Sequence, residues 1–410
     1  MTAKTSKELF SFLAKQIEDF LKTHHDDHYQ AHIERRKTAS AKGEELTTKE
    51  IFHLGFTFSF PVNQIGINKG TLARWTKGFD ISDAIGKDVC ELLQTEIDAL
   101  HLPVKVAALV NDTVGTLMAR SYGSPGKTGT LIGGIFGTGT NGAYVEKLDK
   151  ITKLASIHGS EYDKSTGEMI VNTEWGSFDN QMSVLPNTPY DDALDKESIN
   201  PGIQMFEKRV SGMFLGEILR RAILALHDNP KSQLFKDEAS GTSTVAETSP
   251  LFQKWGIDTS ILSTIQADTS PNLSTTLSTL SHSFAITNPT PTSATAIKHL
   301  VTAIGKRAAR LSALAIASVI ISTGNNIPKN KNKNPAPNSA NSSSEDIIDV
   351  GVDGSLVEFY PGFEGYMREA FREIEGIGRE GEGRVRIGIA KDGSGVGAAL
   401  IALVAAGREV

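Results

Sequence analysis

Seven consecutive residues, Val104 to Val110 (VKVAALV), carry a single polar side chain, and the polar pair Asn111-Asp112 follows at once. An alternating strand can leave one face to water. A continuously apolar one needs cover on both faces, which in practice means a largely parallel sheet between helices. Residues 113–122 then have helical character, and the rest of the chain supplies matching pieces. Residues 7–21 set Leu9, Phe10, Phe12, Leu13, Ile17, Phe20 and Leu21 at helical spacing. Residues 51–61 (IFHLGFTFSFP) alternate apolar with small or polar side chains and stop at a proline, which predicts a strand. Residues 83–100, 202–226 and 298–322 read as helices, 130–136 and 143–148 as the arms of a hairpin, and 385–390 as a strand feeding a buried helix over 397–406. Strands interleave with helices, so the class is α/β.

At about 150 residues per domain, a chain of 410 residues makes two or three. With 42 basic against 48 acidic side chains and a net charge of −6, it lacks the basic excess of a nucleic-acid binder. Cys90 is the one cysteine, which excludes an internal disulfide framework and a Cys-rich zinc module. The longest apolar runs, 311–321 and 396–406, fall short of the ~18 residues of a spanning helix. The opening MTAKTSKELF lacks the charged-then-apolar order of a secretory leader. A cytoplasmic protein with neither nucleic acid nor membrane as partner is the expectation. Three segments resist this reading: polar residues 24–49, a loop or frayed helix; Ser/Thr-rich residues 240–295, with sparse apolar anchors; and low-complexity residues 325–346 (NNIPKNKNKNPAPNSANSSSED), too polar to bury.

Three glycine-rich segments bear on nucleotide binding. In 123–128 (GSPGKT) only two residues separate the glycines where a P-loop needs four, so an ordinary turn is expected. Gly137, Gly139 and Gly142 (GTGTNG) satisfy G-x-G-x-x-G, but a strand pattern, AYVEKL, follows instead of the helix a dinucleotide fold requires. A glycine hairpin still offers backbone N–H groups to an anion, and a plain β-turn fits equally. Residues 392–398 (DGSGVGA) lead from a strand into an apolar helix whose N-terminus favours negative charge. Candidate acids are Asp112, Glu174 and Glu207. Asp112 falls at the carboxyl end of the buried strand, where open α/β sheets bind ligands, and it also suits an N-cap. Residues 24–32 (HHDDHYQAH) are dense in metal-ligand types but strongly solvated, and no metal site is expected there.

Residues 54–80 (LGFTFSFPVNQIGINKGTLARWTKGFD) closely resemble the sugar-binding signature of the eukaryotic, fungal-type hexokinases. The resemblance continues in family order through NDTVGTL (111–117), FGTGTNGAY (136–144), NTEWGSFDN (172–180), PGIQMFEKRVSGMFLGEILR (201–220), VDGSLVEFYPGF (352–363) and AKDGSGVGAAL (390–400). It implies an actin-like, ribonuclease-H-like two-lobe fold, with a small sugar-binding lobe over 1–115 and a large lobe over 116–410 that carries the 325–346 insert. It implies ATP-dependent phosphorylation of a glucose-like hexose at the 6-hydroxyl by a monomer or homodimer. Ser59, Thr76, Lys77, Asn111, Asp112, Asn141, Glu174 and Glu207 match the hexose-binding residues. Such carboxylates and amides suit a ring of hydroxyls that both donate and accept. By the same resemblance Asp112 is the general base and Lys77 stabilises charge on the transferred phosphoryl. Gly137 and Thr138 match a phosphate contact, and Gly354, Ser355, Gly393 and Ser394 the adenosine side. Mg²⁺ is expected to be held mainly by the nucleotide's phosphates.

Against the family pattern, the chain opens without the strands and Asp-Gly-Gly-Thr-Asn-type loop that make the first phosphate contact, so the small lobe is expected to be incomplete. Loss of one preorganised phosphate element is worth about 10²–10³ in turnover. An alternative reading is therefore a catalytically impaired sugar-binding sensor.

Overall fold

The computed structural model describes residues 3–42, 51–76, 79–127, 129–156, 164–232, 234–235, 243–326 and 347–408. Lys77 and nearly all of the 325–346 insert lie outside them. The chain forms two compact units, Met1–Ala119 with Asp392–Val410, and Arg120–Lys391.

In the first unit, α1 (Ser6–His24) begins where Thr5 caps the Glu8 amide. Of the polar residues 24–49, read as a loop or frayed helix, 26–42 form a helix, α2 (Asp26–Lys42), and 43–49 lie outside the described residues. It has almost no apolar stripe, so pattern alone does not reveal it. Tyr29 is its anchor, buried with its hydroxyl donating to Glu18 at 2.9 Å. Strand β1 (Phe52–Thr57) leads into a hairpin of β2 (Val62–Gly66) and β3 (Lys69–Leu72). Helix α3 (Val89–Ala99) starts later than the predicted 83. Gly86, at φ 80°, breaks the helical path, and Asp88 then caps the amides of Cys90 and Glu91. Strand β4 (Val104–Val110) pairs in parallel with β1 and is followed by α4 (Asp112–Gly123).

The second unit is built on β5 (Thr130–Phe136), β6 (Thr140–Lys147) and β7 (Glu168–Asn172), an antiparallel meander. Helices α5 (Pro189–Glu197), α6 (Glu207–Val210) and α7 (Gly212–Asp228) follow. Residues 202–226, read as one helix, thus break at Ser211, whose backbone is extended. The Ser/Thr-rich region, from residue 243 on, forms β8 (Thr244–Val245), α8 (Ser260–Ala267), α9 (Ser274–Ser283) and β9 (Ile286–Thr287). Among its apolar residues, Leu251, Ile257, Leu262, Ile265, Leu280, Phe284 and Ile286 are buried, whereas Phe252 and Trp255 stay exposed. Its polar ones make local turns: the Asp268 carboxylate accepts from the amides and hydroxyls of Ser270 and Thr276. The long α10 (Pro291–Ser322) forms the spine of this core.

Strand β10 (Ile348–Asp353) then returns beside β5, in parallel. Helices α11 (Ser355–Phe359), α12 (Phe363–Glu373) and α13 (Gly378–Arg384) lead to β11 (Val385–Ile389), which is parallel to β10. The sheet order β7-β6-β5-β10-β11 is a three-stranded meander extended by two parallel strands, the ribonuclease-H arrangement.

The C-terminal helix α14 (Gly393–Arg408) departs from the expected division at 115/116. It belongs to the first unit, packed on β1 and β4. Contact is close because three glycines meet there. A Cβ on Gly397 would overlap the Gly115 carbonyl, one on Gly55 the Ala398 carbonyl, and one on Gly115 would sit 2.5 Å from the Ser394 oxygen. Nor is α14 wholly buried, since Val396, Leu403 and Val404 are at least half exposed. Gly397→Ala tests this crossing. Alanine gains about 1 kcal/mol in helix propensity, whereas overpacking costs about 1–3 kcal/mol and more when the neighbour is backbone. The variant is expected to melt at a lower temperature than the native chain in calorimetry. An unchanged or raised Tm would contradict the crossing.

Candidate active site

The candidate residues form one cluster in each unit. In the first, alternation does the placing. Phe56, Phe58 and Phe60 point the same way, their neighbouring rings 5.3 and 4.9 Å apart, so Thr57 and Ser59 face the other side. Phe60 meets Trp75 at 4.8 Å and Phe79 at 5.1 Å, and the Trp75 indole donates to the Ile81 carbonyl at 2.7 Å. These aromatic contacts hold the loop that carries Thr76, whose carbonyl accepts from the Phe79 amide. Lys77, expected beside it, lies outside the described residues. The Asp112 amide donates to Ser59 Oγ at 3.3 Å, joining the segment just after β1 to the carboxyl end of β4.

Asn111 takes the capping role expected of Asp112. Its Oδ1 accepts from the Thr113 amide at 3.0 Å and the Thr113 hydroxyl at 2.5 Å. Asp112 shares the task through one oxygen, Oδ1, 2.8 Å from the same amide. Its Oδ2 has no hydrogen-bond partner among the described residues.

In the second unit, the Gly137-Thr138-Gly139 turn joins β5 to β6 as a hairpin, as expected, and Asn141 and Glu174 meet just beyond it. Asn141 Nδ2 donates to Glu174 Oε1 at 3.1 Å and to Asn172 Oδ1 at 2.8 Å; Asn172 Nδ2 donates to the same Glu174 oxygen at 2.9 Å. Glu207 joins them by accepting the Thr140 amide at 2.9 Å. Glu174 adopts φ 51°, a left-handed conformation that costs a non-glycine residue about 1 kcal/mol or more and concentrates at functional sites. Trp175 keeps it there. The indole stacks on Phe136, donates to Thr140 Oγ1 at 3.0 Å, and occupies the space any Cβ on Gly142 would need. The third glycine of G-x-G-x-x-G thus serves a tryptophan.

Three further residues of this cluster escaped sequence reasoning. Gln204 Oε1 accepts from Ser177 and lies against Gly176. Lys208 and Arg209, next to Glu207, are buried cations. Lys208 Nζ reaches Asp195 and the Asn200 carbonyl at 2.6 and 2.7 Å, although burial pulls its ammonium down from the usual lysine range. Arg209, fully buried, donates to the carbonyls of Pro186 and Met205 and to Asn187 Oδ1. Together they fix α6, and with it Glu207. Nothing in the spacing of EKRV marks its charges as interior, because buried arginine is rare without partners that only the fold supplies.

Of the nucleotide-side candidates, four converge. The Gly137 and Thr138 carbonyls accept from the Gly212 and Met213 amides at the start of α7, at 2.8 and 3.2 Å. Gly354, at φ 116°, crosses directly over this turn, where a Cβ would lie 2.5 Å from the Phe136 carbonyl carbon. Ser355 follows it as the first residue of α11. Gly393 and Ser394 lie instead in the first unit, at the start of α14, where the Ser394 carbonyl accepts from Thr57 Oγ1 at 3.3 Å. Within the 123–128 segment, Pro125–Lys127 form a short turn with Gly126 at φ 72°, and Thr128 lies outside the described residues. Among the described residues no three of His, Cys, Asp and Glu gather as a metal site; His25 and His28 lie against the Phe52 ring.

A ribonuclease-H-type sheet, with carboxylate and amide clusters at its hairpin and at the carboxyl end of a parallel strand in the other unit, defines a sugar-kinase class of protein. Comparison with known proteins gives the family. Two hexokinase family models match the chain, over residues 1–122 and 131–404. It is 59% identical over 409 residues to a glucokinase of Aspergillus niger, spanning 100% of this chain and 79% of that one. It is 42% identical over 412 residues to Glucokinase-1 of Saccharomyces cerevisiae, spanning 98% and 75%. A solved hexokinase of Schistosoma mansoni complexed with glucose superposes with TM-score 0.72 at 31% identity, over 98% of this chain and 76% of that one. The chain belongs to the hexokinase family, and its fold is the actin-like, two-lobe fold of the sugar kinases.

Proposed function

We propose that this protein transfers the γ-phosphoryl group of Mg²⁺–ATP to the 6-hydroxyl of glucose or a closely similar hexose, giving hexose 6-phosphate and ADP in the cytoplasm. The observation that carries the reading is the convergence of Asn141, Glu174 and Glu207 in one unit and of Ser59, Asn111 and Asp112 in the other, drawn from separate stretches of the chain. Relatives named glucokinase and hexokinase support it. Nothing in the comparisons supports the sensor alternative.

Asp112 is the proton acceptor. One carboxylate oxygen is tied to the backbone and fixes the group, and the other is available to the hexose 6-hydroxyl. As the oxygen attacks phosphorus the proton passes to Asp112, and the bond to the ADP oxygen breaks. Thr76, Asn141, Glu174 and Glu207 bind the remaining hydroxyls, and a site built to satisfy them rejects sugars that lack them. Lys77 neutralises charge on the moving phosphoryl. The turn at Gly137 and Thr138, with Gly354 and Ser355, takes the nucleotide, as do Gly393 and Ser394. Mg²⁺, when bound, would be held mainly by the nucleotide's own phosphates and would supply charge neutralisation there.

The test uses 6-deoxyglucose. It retains the groups that bind and lacks the oxygen that reacts. It is expected to inhibit glucose phosphorylation competitively while yielding no phosphorylated product. Phosphorylation of 6-deoxyglucose, or failure to compete, would overturn the assignment.

A further inference from the structure

We infer that Asn172 is a positioning residue, orienting Glu174 and Asn141 toward the hexose; the inference rests on the sugar-binding reading of those two. Asn172 ends β7 directly opposite Ala143 of β6, so its side chain shares a sheet face with Asn141 two residues away. The orientation of this group starts from the backbone. The Gly142 amide donates to Asn141 Oδ1 at 2.8 Å, with Thr173 Oγ1 also donating at 3.3 Å, and this turns Asn141 Nδ2 outward. Nδ2 then meets Asn172 Oδ1 at 2.8 Å, which turns Asn172 Nδ2 toward Glu174 Oε1 at 2.9 Å. The triangle closes with Asn141 donating to the same carboxylate oxygen.

Only an amide of this length offers an acceptor and a donor on one short plane. The result is a Glu174 carboxylate with one oxygen held by two N–H groups, and with Oε2 left without a hydrogen-bond partner among the described residues. Packing does not explain Asn172, because it is exposed. Its replacement therefore spares the core. The ionisable side chains on the adjoining elements are Tyr144, Glu146 and Lys147 of β6, whose rungs pair with Val171, Met169 and Glu168, and Glu207 beyond Gly176.

Two variants test the inference by glucose calorimetry and steady-state kinetics on the full chain. Asn172→Ala removes a hydrogen bond to a charged acceptor and is expected to weaken glucose binding about 10- to 100-fold. Its kcat should stay within about threefold, because the reacting oxygen is served by Asp112. Asn172→Asp sets a second carboxylate against Glu174, and two carboxylates sharing a site take up a proton readily. That proton restores a donor, so the binding deficit relative to the native chain should be large at about pH 8 and shrink several-fold at about pH 5. The deficit of Asn172→Ala should be the same at both. An Asn172→Asp variant that matches the native chain at both pH values, or whose deficit ignores pH, overturns the positioning role alone. A native chain that binds no hexose removes the sugar-binding reading and this inference with it.

Discussion

Asp112→Asn is expected to lower the turnover of glucose phosphorylation by about 10²–10⁴-fold, the contribution of a positioned general base, while glucose binding falls far less. Geometry explains the separation. One Asp112 oxygen accepts the Thr113 amide, a bond that the asparagine oxygen reproduces, and Asn111 caps the same amide independently. The start of α4 therefore survives the change. Lost is the second oxygen, replaced by an NH₂ group that donates to the 6-hydroxyl but cannot take its proton. Stopped-flow or coupled-assay kinetics beside glucose calorimetry separate the two effects. A variant that keeps more than a tenth of native turnover would remove Asp112 from the chemistry.

Asp349→Asn should strongly destabilise the second unit. Asp349, at the start of β10, is fully buried and accepts from Arg120 Nε and Nη2 at 3.0 and 2.7 Å, Arg386 Nε at 2.6 Å and Thr130 Oγ1 at 2.8 Å. One carboxylate thus ties α4 and the first strand of the meander to both parallel strands of the sheet. Arg120 also crosses Gly388 of β11 so closely that a Cβ there would overlap its guanidinium. Breaking a buried pair strands the remaining charge at about 3–5 kcal/mol. Arg386 keeps 26% of its side chain exposed, so the lower end applies. For a unit of this size that is a fall in Tm of about 6–12 °C.

The pH dependence has a definite sign. Burial alone would push the Asp349 carboxyl up, but the two arginines and Thr130 together hold it below the usual carboxylate range. A depressed folded value means the contribution is complete above the unfolded value of about 3.9 and is lost as pH falls through the folded one. The gap between native and variant should be flat from neutral pH down to about 5 and narrow only in stronger acid. A gap that widens in acid would contradict the assignment.

Much of this was legible from residues alone. The apolar run of β4, the alternation of β1 and the strand pattern after GTGTNG gave two strands and the hairpin, because each is a pattern within a few residues; the parallel pairing that joins Phe52 to Val104 is long-range and was not legible. Quoted motifs selected Asn141, Glu174 and Glu207, which do meet. Legibility failed where long-range contact decides. Helix α2 has no apolar stripe and is held by Tyr29 on Glu18. Sparse anchors such as Leu262 and Phe284 signify little until α10 is beside them. Helix α14 looks buried all round, yet three glycines bring only one face onto β1 and β4. Lys208 and Arg209 are interior, although nothing in the local pattern singles them out. Asn172 was merely a letter in a motif, since its two hydrogen bonds exist only when β6 and β7 lie side by side.

The central claim is that these polar groups bind a hexose and direct its 6-hydroxyl at ATP. Its most direct test is glucose calorimetry and an ATP-dependent glucose 6-phosphate assay on one preparation of the full chain. Saturable one-to-one glucose binding, with glucose 6-phosphate and ADP formed in equal amounts, is the predicted result. A folded preparation that binds no glucose, or binds it and releases no glucose 6-phosphate, would contradict the account.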